Sequence, residues 1–370
     1  KWYRNWARYS SKPVPPDDCC HYRKYQVSVS AHRTCGDRRS ETGTRESKKQ
    51  EFEPDFKKFD KRFNPLLKKA WENNIQVILL ISPHYIPKWL VKKYPDLKQT
   101  SGTFGYEFNH PVAIRMMKAY IPTLIGRLKI NPYFKAIHSI CLSNEPSYAG
   151  CSLENKFSVK QFKQYMEKKY GNISAFNRKA KRNFKDFDSL INTGIKDNAV
   201  KYEFYTFSHQ AFSGFHRLLT TEIKKICPEM PVHAKVMAWR SFLEYDSGTD
   251  PEQMAELSDY NGNDSSSTYG QGSLAAGTSF FQWHETQISS KPISVCNSEN
   301  HIIDDNENRP IPNDHIYTAL MEQHISGAST IITWVYSPYW YERWVKSNKY
   351  PFAGSIYHRP GNLIAHANAQ

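Results

Sequence analysis

The sequence has 370 residues, with 50 Lys and Arg against 36 Asp and Glu for a net charge of +14, 14% aromatic residues and a mean hydropathy of −0.68. A chain of this length can bury the core of one large α/β domain or two ordinary ones, and its aromatic content argues against disorder. The longest apolar run, Val77-Ile78-Leu79-Leu80-Ile81, has five residues and is far too short to span a bilayer.

Residues 1–50 hold 12 Lys/Arg and 5 Asp/Glu, so half of the net charge lies in the first fifty positions. Their one alternating strand candidate is 25–31, and this basic segment is expected to supply the first strands of the fold, with 51–370 forming the remainder. Beyond it, amphipathic stretches alternate with short apolar runs, the pattern of repeated β-α units. Phe56, Phe59, Phe63, Leu66, Leu67 and Ala70 recur at three- and four-residue steps and predict a helix leading into a strand at 76–82. A second helix follows over 112–128, stopped by Asn131-Pro132, and leads into a buried strand at 136–143. Lys-rich helices are expected through 159–182 and a long helix over 200–226, with a strand at 232–237 after Pro228 and Pro231. A short helix at 251–257 leads to a strand at 258–263. Further strands are predicted at 292–298 and from 330, the last preceded by a helix over 316–326 that ends at Gly327. Several of these strands are continuously apolar, as strands covered on both faces should be. No Gly-rich phosphate loop follows any of them, which argues against a dinucleotide-binding sheet. The fold that fits is a (β/α)8 TIM barrel whose first strands are poorly defined in the sequence.

In such a barrel the chemistry sits where the strands end. The strand at 136–143 runs into Asn144-Glu145-Pro146, and the strand at 292–298 runs into Glu299-Asn300-His301. The strand at 76–82 ends in Pro83-His84-Tyr85, and the last strand carries Trp334. Either glutamate alone reads equally well as a salt-bridged surface carboxylate. Together, at one aromatic-lined mouth, they suit glycosidic bond cleavage, which needs an acid to protonate the leaving oxygen and a carboxylate to meet an oxocarbenium-like transition state. Glu145 is then the acid/base and Glu299 the nucleophile.

Ser143-Asn144-Glu145-Pro146 resembles the strand-four signature of clan A retaining glycoside hydrolases, and Asn297-Ser298-Glu299 resembles their strand-seven nucleophile. Within that clan, His84-Tyr85-Ile86-Pro87-Lys88-Trp89 with Tyr94-Pro95, Tyr170-Gly171-Asn172-Ile173, and Gly327-Ala328 before Thr333-Trp334 are similar to glycoside hydrolase family 42, the β-galactosidase-like branch. The resemblance covers about residues 52–345. It implies that Asn144 bonds the sugar 2-hydroxyl and that His84 binds other hydroxyls at the point of cleavage. It also implies that Trp334 floors that subsite, although His84 and Trp334 can equally be read as core residues. His301 and Asn261 fall where further polar contacts belong. Trp89, Tyr336 and Trp340 are candidate outer platforms, the last two within the aromatic run Trp334-Val335-Tyr336-Ser337-Pro338-Tyr339-Trp340-Tyr341.

The implied substrate is a β-galactoside or a related oligo- or polysaccharide, with no cofactor, no metal, no nucleic acid and no membrane span. Homo-oligomerisation stays open. A carbohydrate-binding barrel without catalysis is the alternative reading. Seven cysteines with no C-x-x-C spacing signal no zinc site, and Cys141 with Cys151 is a disulfide candidate on spacing alone. Sequons at Asn172 and Asn263 permit a secretory setting, and secretion or a periplasmic location is the favoured reading. The C-terminal residues read as the approach to a final barrel helix cut short at Gln370, as in a longer enzyme with β-rich accessory domains.

Overall fold

The computed structural model describes residues 25–30, 44–45, 52–54, 56–81, 83–98, 104–148, 155–237, 248–265, 295–300, 313–325 and 331–333. Seven strands form one parallel sheet: β1 (Tyr25–Ser30), β4 (Ile75–Leu80), β5 (Ile137–Asn144), β6 (Val232–Met237), β7 (Asn261–Ser265), β8 (Val295–Asn300) and β9 (Ile331–Thr333), neighbours in that order. The sheet curls until β9 lies alongside β1. A two-residue antiparallel pair, β2 (Thr44–Arg45) and β3 (Glu53–Pro54), stands apart from it. Helices α1 (Lys57–Glu72), α2 (Lys88–Lys93), α3 (Pro111–Lys129), α4 (Lys156–Tyr170), α5 (Ile173–Ala180), α6 (Phe187–Thr193), α7 (Asn198–Ile226), α8 (Pro251–Glu256) and α9 (Asn313–Ile325) fill the connections. The architecture is a (β/α)8 barrel, with seven of its strands among the described residues. Among the described residues no helix is long and apolar enough to cross a membrane.

The 25–31 expectation resolves into β1, which pairs directly with β4 from Tyr25 opposite Ile75 to Ser30 opposite Leu80. The helical periodicity also holds in α1, where Phe59, Phe63, Leu67 and Ala70 form one buried stripe against the sheet. Helix starts follow local chemistry. Asn155 accepts from the amides of Phe157 and Ser158, Asp197 from those of Ala199 and Val200, and Asp186 forms a reciprocal capping box with Ser189. Gly171, at φ 73°, ends α4 in a conformation that costs glycine nothing.

The strand candidate at 258–263 is displaced. It begins at Asn261 rather than at residue 258, because Ser258 and Asp259 are consumed by the turn that ends α8. The Ser258 amide donates to the Ala255 carbonyl and its hydroxyl to Met254, while the Asp259 carboxylate accepts from the Val232 amide at 2.8 Å.

One aromatic seam joins the outer helices to the strand ends. Phe212 on α7 packs 5.2 Å from Phe104, 5.2 Å from Phe108, 5.8 Å from Tyr148 and 4.7 Å from His216, ring centre to ring centre. His216 is fully buried. Its Nδ1 lies 2.9 Å from the Phe212 carbonyl, which can only accept, so the proton sits there. Nε2 then accepts from the Ser143 hydroxyl at 2.8 Å.

Replacing Phe212 by Ala is expected to cost about 3–5 kcal/mol in urea denaturation, the usual toll for deleting a fully buried aromatic ring. A second expectation concerns acid. Burial pushes the His216 ring down to about 4, against 6.5 when exposed. The unfolded chain therefore takes up a proton that the folded chain refuses. The His216 contribution to stability should be flat above about pH 6.5 and fall by about 3 kcal/mol as the pH drops towards 4. In His216→Gln that part of the acid limb should be shallower, measured as the denaturation midpoint against pH.

Candidate active site

The C-terminal ends of the parallel strands define one rim. Asn144 is the last residue of β5, and Glu145 follows it with φ at +48°, left-handed backbone that a non-glycine residue adopts at a cost. Its amide donates to the Lys235 carbonyl on β6 at 2.8 Å, which ties the turn to the neighbouring strand. Backbone register runs across the rim from there. Asn144 lies opposite Lys235, Lys235 opposite Gly262, and Gly262 opposite Asn297, two residues before Glu299. Glu299 is itself level with Asp264 on β7 and Ile332 on β9. Counted back from β9 as the eighth strand, Glu145 follows the fourth and Glu299 lies near the end of the seventh, with two strands between them.

Loops behind the rim hold Glu145 from several sides. Ser143 is turned towards the helical layer by His216. The Pro146 carbonyl accepts from the Thr249 hydroxyl at 2.9 Å. Tyr148, fully buried, donates its hydroxyl to Glu107 Oε2 at 2.7 Å. Glu107 is a fully buried carboxylate in the loop after β4, and it also accepts from the Ser158 hydroxyl at 3.1 Å and from the Asn109 amide at 3.0 Å. Buried charge is tolerated when it is satisfied in this way. The same loop carries Tyr106, whose hydroxyl reaches the Pro83 carbonyl at 2.6 Å and whose burial pushes its ionisation upward.

The other expected site residues separate into three groups. His84 lies in this loop, 7% exposed, its ring 4.7 Å from Phe104. Trp89 is half-buried on α2 with its ring 6.4 Å from Phe52, engaged with the core beneath it. Asn261 is fully buried at the first position of β7, opposite Val295 and three positions before Asp264. The rim position on β7 belongs to Asp264. Trp334, His301, Tyr336 and Trp340 lie outside the described residues, as does Cys151. Among the described residues, no three His, Cys, Asp or Glu side chains gather in a metal-binding arrangement.

Sequence reasoning missed Glu107 and Lys235. Glu107 was visible as a lone acid inside Phe104-Gly105-Tyr106-Glu107-Phe108, and Lys235 as a charge inside the apolar strand at 232–237. Lys235 is 5% exposed, and after burial and His138 its charge helps push the neighbouring His233 down to about 3.

The profile of glycoside hydrolase family 42, described as Beta-galactosidase, matches residues 46–287. The chain belongs to glycoside hydrolase family 42. That match includes Asn144 and Glu145 and ends before Glu299. Among solved structures, the chain is similar to the apo exo-carrageenase GH42 from Bacteroides ovatus, with a TM-score of 0.68, 18% identity, and coverage of 94% of this chain and 48% of that one. It is also similar to the β-galactosidase from Bacillus circulans sp. alkalophilus, at 0.66 and 16%, covering 94% of this chain and 55% of that one. The catalytic domain of β-amylase from Paenibacillus polymyxa shares the fold at 0.60 and 13%, covering 84% of each chain. The chain thus spans about half the length of the family 42 structures it matches. A comparison with curated protein sequences found no match.

Gly262 gives this family 42 rim a sharp test. A Cβ there would stand 2.4 Å from the Ala234 carbonyl oxygen and 2.8 Å from the His233 ring. Gly262→Ala must push β7 away from β6 at His233 and Ala234, so a clear loss of thermal stability is expected by calorimetry. An unchanged melting temperature would contradict the close approach.

Proposed function

We propose that this chain is the catalytic barrel of a retaining β-glycosidase of the β-galactosidase type, with Glu145 as acid/base and Glu299 as nucleophile. The observation that carries the reading is the placement of Asn144-Glu145 and Glu299 at one rim, after the fourth and on the seventh strand, in a family 42 chain.

In this reading the Glu299 carboxylate attacks the anomeric carbon while the glycosidic C–O bond breaks, and Glu145 gives its proton to the departing oxygen. A glycosyl ester on Glu299 results. Glu145, now ionised, takes a proton from water, the water oxygen attacks the same carbon, and Glu299 leaves as carboxylate. Two inversions give net retention. The Asn144 amide can both donate to and accept from the sugar 2-hydroxyl, a contact that strengthens as positive charge develops at the ring. His84 supplies a hydroxyl contact from the neighbouring loop, and Trp334 offers an indole face to the C–H side of the pyranose. His301, Tyr336 and Trp340 extend the contacts outward in the same scheme. Asn261 and Trp89 contribute little to it, being held in the body of the barrel and against Phe52.

The local frame suits an acid/base. Glu145 sits on backbone fixed by Lys235 and Thr249, so its carboxyl keeps its distance from the nucleophile in both half-reactions. An aryl β-galactoside is the direct probe. Glu299→Ala is expected to abolish turnover. Glu145→Ala should lose about 10²–10⁴-fold on substrates with poor leaving groups and much less on an activated aryl leaving group. It should also recover rate when azide is added, yielding the β-glycosyl azide by NMR. Wild-type turnover in Glu299→Ala, or an α-configured first product from the parent enzyme, would overturn the assignment.

A further inference from the structure

The charge of this chain is unevenly distributed along its sequence. Residues 155–197, which hold α4, α5 and α6, carry eleven Lys/Arg against four Asp/Glu, a net +7. The remainder of 51–370 carries 27 of each and is neutral. Beyond residue 50, the net positive charge of the sequence therefore falls on one three-helix excursion.

Its position follows from α7. That helix meets the rim at Phe212, whose ring stacks on Tyr148, three residues beyond Glu145. From Phe212 to Ile226 it descends beside the barrel towards the start of β6. Residues 198–211 continue in the other direction, about 21 Å past the rim at 1.5 Å per residue. Helix α4 packs along this overhang, with Phe162 5.2 Å from Phe204 and Tyr165 5.8 Å from Phe207. Buried Glu203 fastens the far end by accepting from Tyr170 at 2.6 Å and Lys169 at 2.6 Å. The basic excursion is thus a fixed part of the catalytic face.

Four of its cations are used internally, in the pairs Lys156–Asp96, Lys163–Asp188, Lys169–Glu203 and Arg182–Asp197. Lys160, Lys168, Arg178, Lys181, Lys185 and Lys196 are exposed and enter no ion pair among the described residues. The aromatic rings of the excursion face inward. Phe162, Phe176 and Phe187 are buried and Tyr165 and Tyr170 partly so, and the exposed ring beside them is Tyr202 on α7, a single platform rather than the series that nucleobase stacking uses. What it presents is positive potential without base-reading chemistry, beside a carbohydrate-cleaving mouth.

We propose that this excursion docks an anionic polysaccharide, and specifically a sulfated galactan, holding the polymer while its end or an internal linkage occupies the rim. The choice of sulfate rests on the β-galactoside reading above. A galactan becomes charged without altering its ring carbons by esterification, whereas a carboxylate at C6 would make it a different sugar at the point of cleavage. Lysine, a compact point charge on a flexible stem, suits sulfates spaced along a moving chain better than a rigid bidentate fork would.

Affinity electrophoresis of the full chain tests this, with gels containing κ-carrageenan, polygalacturonate or neutral galactan, and a single-stranded oligonucleotide titrated separately. The expected result is retardation by κ-carrageenan that shrinks at least fivefold between 50 and about 300 mM salt, as screening shortens the reach of exposed charges. Lys160→Glu/Lys168→Glu/Lys185→Glu/Lys196→Glu should lose that retardation while hydrolysing a small aryl β-galactoside at the parental rate. Equal retardation by polygalacturonate or neutral galactan, tighter binding of the oligonucleotide, or a quadruple variant that still binds carrageenan would each overturn the proposal. Failure to cleave the aryl galactoside in the parent chain would instead strike the glycosidase reading, and the gel would still report on docking.

Discussion

A carboxylate with no exposure to water decides how the rim is built. The Glu107 carboxyl is fully buried and accepts from two hydroxyls and an amide, and those donors come from three places: Tyr148 after β5, Ser158 on α4, and Asn109 before α3. Taking any donor away leaves a buried acceptor short, at about 1–3 kcal/mol, so the three segments are obliged to keep their spacing. Around this polar point the aromatic seam of Phe104, Phe108, Tyr148 and Phe212 supplies the area. Non-directional burial brings the loops after β4 and β5 against α7, and the directional bonds at Glu107 fix which way they face. The turn at Glu145 inherits its orientation from this joint.

Much of the fold was legible because one-dimensional periodicity records burial. The spacing of Phe59, Phe63 and Leu67 states which side of α1 meets the sheet, and the apolar run before Asn144 states where β5 ends. The boundary of β7 was not legible, since Ser258 and Asp259 look like strand residues until their bonds to Met254 and Val232 are known. Asn261 was misplaced along its strand for that reason. Glu107 and His216 were hidden in a different way. Their partners lie 41 and 73 residues away, and no local pattern announces a hydrogen bond of that span. The two glutamates, by contrast, could be read from the ends of apolar runs, because a parallel barrel gathers strand ends whatever their separation in sequence.

The basic excursion also explains a feature of the composition. A high net charge ordinarily weakens a compact fold through self-repulsion. Here the excess of positive charge beyond residue 50 lies on a module pinned by four ion pairs and by the Glu203 cluster.

The left-handed backbone at Glu145 carries a consequence for how this protein can change. A glutamate at positive φ is held against its own conformational preference, at a cost of about 1 kcal/mol or more, while glycine would relax there. Backbone preference and side-chain identity therefore pull in opposite directions at a single residue. Drift towards a sturdier chain would begin by exchanging this glutamate for glycine, and a barrel that keeps it keeps a carboxyl at that position at the expense of its backbone.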